Sequence, residues 1–198
     1  MNNFKDNNGV IQLIGEEFTG PTHFVKFWLD VIKEWEKETG KHPIIGLSVT
    51  KDVQDSILKN PVYAAIVDLI DIRYWHYQAD GTTYEPKGGQ SLAPRQHARL
   101  LKPKKTSFEQ VYRAVKEYRD KYPGKAVVYS GDSYPEFGIA AFMAGGSLAS
   151  LNNNIDKKIL KAAVGMKPVM SPNKNEYILT DGKRSVVYNT ETKSFLIR

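Results

Sequence analysis

Four short apolar runs dominate this chain: Val-Ile-Gln-Leu-Ile at 10–14, Pro-Ile-Ile-Gly-Leu-Ser-Val at 43–49, Leu-Ile-Asp-Ile-Arg-Tyr at 69–74 and Ala-Val-Val-Tyr-Ser at 126–130. Stretches of helical periodicity separate them. Strands that are apolar on both faces and joined by helix-length crossovers are parallel strands covered by helices. In a parallel sheet all C-terminal ends lie along one edge, where α/β enzymes keep their sites. Polar residues follow several of these ends: Glu16 and Glu17 after the first run, Tyr74, Trp75 and His76 after the third, and Asp132 after the fourth.

Between the strands, residues 22–39 carry Phe24, Phe27, Trp28, Val31, Ile32 and Trp35 at helical spacing, with Gly40 placed as a C-cap. A second helix over 53–67 is interrupted by Pro61. A third, 107–121, opens on Ser107 and presents Val111, Tyr112, Val115 and Tyr118 as a buried stripe. A small-residue helix at 137–144 leads to a short fifth strand at 146–151, and a last helix centres on 155–164. From Glu176 onward the pattern changes to short runs punctuated by Asp181-Gly182 and Asn189-Thr190-Glu191, the signature of antiparallel strands joined by turns. The stretch 78–106 is too long for an ordinary connection of about 2–6 residues. Its glycines and prolines mark a structured loop springing from the third strand end, a position where insertions commonly form sites.

The chain has 198 residues, 41% of them hydrophobic and 25% charged, enough for one domain with a small appendage. It contains no cysteine, which excludes disulfides, thiolate metal sites and cysteine nucleophiles. The formal net charge of +6 is spread over helix faces among acidic neighbours, with no aromatic-basic motif, so no nucleic-acid partner is expected. No apolar run approaches the roughly 18 residues of a membrane helix, and no membrane partner is expected. The four histidines have no ligand spacing, so neither a metal nor another cofactor is expected; His23 and His42 are read as structural. No Gly-x-Gly-x-x-Gly, Walker loop or Gly-x-Ser-x-Gly is present.

Ile14-Gly15-Glu16-Glu17-Phe18-Thr19-Gly20-Pro21, with the aromatic helix and Gly40-Lys41-His42-Pro43 after it, resembles the fourth strand and helix of clan A (β/α)8 glycoside hydrolases. Lys125 to Asp132 and Phe142 to Ser147 resemble the seventh and eighth strands of apiosidase-like or uncharacterised barrels of polysaccharide-degrading bacteria. The resemblance covers roughly residues 9–190. It implies a partial TIM (β/α)8 barrel, about strands four to eight, over residues 1–170, and the first antiparallel strands of a β-sandwich domain over 171–198. It also implies an exported full-length protein, though residues 1–8 carry no signal peptide. The clan's Asn before the acid/base is Glu16 here, and the clan's Ser-Glu-Phe-Gly nucleophile motif has no counterpart in the seventh strand.

The implied activity is hydrolysis of glycosidic bonds in a plant or microbial polysaccharide or oligosaccharide by paired carboxylates, with this chain expected to be only part of the full enzyme and feeble alone; the alternative is a non-catalytic carbohydrate-binding relic. Glu17 is the candidate acid/base and Glu16 its neighbour, against the plain reading of solvated loop carboxylates. Asp132 is the candidate nucleophile or base, against a turn residue. Glu136, in Glu136-Phe137-Gly138, is its substitute, against a helix first-turn acid. Tyr74, Trp75 and Tyr77 are candidates for a sugar-stacking platform, with strand alternation turning some of them into the core. His76 is a candidate hydrogen-bond donor. Arg95 and His97 are candidate ligands for an acidic or polyhydroxylated group, or anchors of the long loop. Besides a carbohydrate substrate, the expected partner is the missing N-terminal half-barrel or a second copy covering the exposed sheet edges.

Overall fold

The computed structural model describes residues 2–4, 6–7, 9–18, 20–72, 76–84, 106–130, 137–149, 151 and 155–198; for Phe4, Glu16, Glu17, Phe18 and Leu148 it describes the backbone alone. After a 3-10 turn at Asn2–Phe4, the order is β1 (Ile11–Phe18), α1 (Thr22–Thr39), β2 (Ile44–Val49), α2 (Lys51–Lys59), α3 (Pro61–Ala64) and β3 (Leu69–Ile72). Next come α4 (Phe108–Lys121), β4 (Ala126–Tyr129), α5 (Phe137–Met143), β5 (Leu148–Ala149) and α6 (Lys157–Ala162). The chain closes with β6 (Lys167–Val169), β7 (Glu176–Thr180), β8 (Ser185–Asn189) and β9 (Ser194–Ile197).

Local chemistry sets the boundaries. Gly40 ends α1 at φ 66°, its N–H donating to the Glu36 carbonyl at 2.8 Å. The Ser107 hydroxyl accepts the Gln110 N–H at 3.3 Å and caps α4. Pro61 does split the second helical stretch: Asn60 ends α2 and caps α3, its side chain accepting the Val62 N–H, with Pro61 in the first turn. The fifth strand is shorter than its sequence pattern, reduced to two residues.

The first five strands form one parallel sheet in the order β1-β2-β3-β4-β5. Crossovers in a sequentially ordered parallel sheet share one hand, so the helices lie on one face. Accordingly Val25 and Leu29 of α1, Val53 and Ile57 of α2 and Val111, Val115 and Tyr118 of α4 share a single core with Ile14, Ile45, Leu47, Ile70, Ile72, Val127 and Tyr129 of the sheet. At roughly 1.5–3 kcal/mol for each fully buried side chain of this size, that core is the main source of stability.

The partial (β/α)8 barrel expected from the resemblance is corrected here. The described strands make an open sheet with β1 and β5 as edges, and no described strand joins those edges into a closed ring. Alternating strands and helices dictate parallel order, but closure needs a pairing between first and last strands, and five strands are too few for a barrel whose tilt and shear suit eight. The later strands form one four-stranded antiparallel sheet, β6-β7-β8-β9, which begins at Lys167, ahead of Glu176. It packs against helices: Leu179, Val186 and Tyr188 share a second core with Met143, Ile159 and Ala162, and the Tyr177 ring lies 4.7 Å from Phe108 and 4.6 Å from Tyr112.

On α1 the buried residues are Thr22, Val25, Leu29 and Ile32, whereas Phe24, Phe27, Trp28 and Val31 are exposed. No helix among the described residues is long and apolar enough to cross a membrane.

Candidate functional site

The face of the parallel sheet away from the helices is layered. Near the N-terminal ends of the strands, Ile11, Leu13 and Leu69 meet over Gly46, where an added Cβ would come within 2.8 Å of Leu13 Cδ1. Glycine here lets three aliphatic side chains close over the strand. Nearer the C-terminal ends, the same face turns polar. Asp71 alternates with Ile70 and Ile72 of the helix-side core, so it points to the helix-free face, where it is 3% exposed and accepts a hydrogen bond from the Ser130 hydroxyl. The register Leu47↔Ile70 places Ser48, the next residue, beside Asp71. Ser48 is fully buried and its Oγ has no hydrogen-bond partner among the described residues.

Sequence reading missed Asp71 and Ser48. The available signal was a lone acid inside Leu-Ile-Asp-Ile, a residue that seldom goes fully buried without a partner.

Glu16 and Glu17 lie on β1, whose C-terminal end runs along this same edge because the sheet is parallel. The β1–β2 register slips between Ile14 and Phe18, at Gly15 with φ 70°, so strand alternation does not carry past Ile14. Asp132, Glu136, Tyr74, Trp75, Arg95 and His97 lie outside the described residues.

His76 and Tyr77 lie in the packing between sheet and helices. His76 is 1% exposed, its ring edge-on to Tyr118 at 5.7 Å. The Tyr77 hydroxyl donates to Glu117 Oε2 at 2.5 Å, and the Arg113 guanidinium stacks 4.0 Å from its ring centroid.

This packing encloses an ionic cluster. Lys51 Nζ lies 2.9 Å from both Asp55 Oδ2 and Glu117 Oε1 and over the rings of Tyr77 and Tyr118, at 5.4 and 5.0 Å from their centroids. The Tyr118 hydroxyl donates to Asp55 Oδ1 at 2.7 Å. Burial opposes charge on all these groups. The hydrogen bonds prevail, holding Asp55 and Glu117 below their ordinary values and Lys51 above its own. Burial pushes the Tyr118 phenol well up, and the neighbouring Asp55 adds to the rise. Every member has a partner inside the protein, so the cluster ties α2 to α4 and leaves no group to a ligand.

His42 behaves as the sequence suggests for a structural histidine. Its ring nitrogens face Glu36 at 2.5 Å and Asp68 at 3.1 Å, and the Asp68 hydrogen bond is the chief cause of its raised pKa. Among the described residues no group of three or more acidic or histidine side chains is arranged to hold a metal ion.

Residues 1–166 match the family model described as "Domain of unknown function (DUF6298)". The chain belongs to the DUF6298 family. The DUF6298 match ends one residue before β6, so it takes in the parallel sheet with its helices and leaves out the antiparallel sheet. No curated protein matches the chain.

Proposed function

We propose that this DUF6298 chain carries a glycoside-hydrolase-like site that cleaves O-glycosidic bonds of a polysaccharide or oligosaccharide with paired carboxylates, Glu17 as acid/base and Asp132, or in its place Glu136, as the second group. What supports the reading is that the strands bearing or preceding the candidate acids run parallel, so their C-terminal ends share one edge. β1 bears Glu16 and Glu17, β3 bears Asp71, and β4 ends at Tyr129, three residues before Asp132 in sequence. A helix-free face that turns from aliphatic to polar toward that edge, with Asp71 and Ser48 beneath it, suits a hydroxylated ligand better than an apolar one.

In such chemistry the acid protonates the leaving oxygen. The second carboxylate either attacks the anomeric carbon or activates water, at separations of roughly 5–5.5 Å or ~6.5–9.5 Å respectively. The test is hydrolysis of a panel of aryl glycosides by the natural chain and by Glu17→Gln and Asp132→Asn. The reading expects turnover that falls by roughly a hundredfold or more in each variant, the usual contribution of positioned acid–base groups. Equal rates in Glu17→Gln would remove Glu17 from the chemistry. Oligosaccharide binding without hydrolysis would favour the carbohydrate-binding alternative.

A further inference from the structure

We propose that the β1 edge is a homodimer interface, where β1 of one copy pairs antiparallel with β1 of a second copy across a two-fold axis. β1 is eight residues long and, among the described residues, pairs with β2 alone. From Ile11 to Gly15 it carries no charge or proline, the devices that ordinarily blunt an edge strand.

Both sides of this edge are apolar. On the helix-free face Ile11, Leu13 and Ile44 are 51%, 40% and 37% exposed; on the helix face α1 turns out Phe24, Phe27, Trp28 and Val31 at 43%, 59%, 43% and 37%. Between β1 and this aromatic stripe runs a groove of about 620 Å³, walled by Leu13, Phe24, Trp28, Val31 and Trp35 with the polar Asn2 and Gln12.

Geometry and area select a second copy as the occupant. As the crossover from β1 to β2, α1 lies above that strand pair, about half a strand spacing in from the edge. Joining two β1 strands at ~4.8 Å therefore sets the two α1 axes roughly 10 Å apart, within the normal packing range of helices, with their aromatic stripes facing each other. An isologous contact needs one self-complementary patch, and these seven exposed side chains carry no charge, so they meet their own copies without opposing like charges. Aromatic side chains bury on the order of 150–250 Å² each, so the exposed parts of these seven residues come to roughly 600 Å² per copy. With the strand backbone added, this reaches the ~800 Å² per partner of a standard stable interface.

The test is sedimentation equilibrium of the full chain over the micromolar range. The expected species has twice the 22.4 kDa chain mass. Leu13→Arg and Phe27→Glu should each weaken association roughly thirtyfold or more, as charges at the centre of an apolar interface do. Circular dichroism should be unchanged, because both positions are exposed in the single chain. Since the chain has no cysteine, Leu13→Cys should give a covalent dimer on mild oxidation, whereas Ile197→Cys on β9 should not. A chain that stays monomeric across the range, the result expected if another polypeptide segment covers β1, overturns the proposal. So does a dimer that tolerates both charged variants, or one that cross-links at position 197 and not at 13.

Discussion

Single residues show how tightly this protein accounts for its buried polar groups. Lys51, Asp55 and Glu117 satisfy one another, with the Tyr77 and Tyr118 hydroxyls filling the remaining positions. Because Asp55 and Glu117 titrate below their ordinary values of 3.8 and 4.5, the stability they contribute is complete above those values and is lost as the pH falls through the lowered ones. Lys51→Met should cost about 2–3 kcal/mol near neutral pH by leaving two half-buried carboxylates without their cation. That deficit should shrink below about pH 4, where protonation removes the uncompensated charge; denaturant titrations at pH 7 and pH 3.5 measure it. Gln54, one turn along α2, presents the opposite case: fully buried, with neither amide atom bonded to any described residue. Replacing it with the similarly shaped Met should stabilise the chain by about 1 kcal/mol, since an unsatisfied buried amide carries a desolvation cost that a thioether does not. A lower melting temperature for Gln54→Met would show that the amide has a partner in the working protein.

At the scale of elements, the strands were legible because β2, β3 and β4 are short apolar runs, and the helices because caps such as Ser107 and Gly40 mark their ends. Ser107→Ala should lower stability by about 1 kcal/mol through loss of the cap on α4, read as a shift in the denaturation midpoint with unchanged slope. Periodicity did not reveal which stripe of α1 is buried. Val25, Leu29 and Ile32 form one apolar stripe and Phe24, Phe27, Trp28 and Val31 another, and spacing alone ranks neither; the sheet took the aliphatic one and left the aromatics outside. The candidate site was legible only in outline. Acids at strand ends locate the edge, but Asp71 was passed over, because a lone acid in an apolar strand reads as an interruption until register sets it beside Ser48 and a hydrogen bond joins it to Ser130. Gly15 hides the orientation of Glu16 and Glu17 for a related reason: a left-handed glycine shifts the register, and alternation no longer assigns a face beyond it.

For the whole molecule, the parallel order of the strands was readable from their alternation with helices, whereas closure was not, because it depends on a pairing between the two edges rather than on any local pattern. The antiparallel sheet raises a similar question of dependence. The family match stops at residue 166, which would suit a removable appendage, yet the packing argues otherwise. Leu179, Val186 and Tyr188 bury Met143 of α5 and Ile159 and Ala162 of α6, and Phe108 at the start of α4 lies between Tyr177 and Tyr188. Each fully buried side chain of this kind contributes about 1.5–3 kcal/mol, so losing the cover over several at once would remove much of the 5–15 kcal/mol typical of a domain. The two sheets should therefore melt in one cooperative transition, with calorimetric and van't Hoff enthalpies in agreement. A chain ending at residue 166 should melt well below the full one and bind a hydrophobic dye at the uncovered faces of α4, α5 and α6. Two separate transitions in the full chain, or an unchanged melting temperature after truncation, would mean that the antiparallel sheet is held loosely and that the parallel sheet stands on its own core.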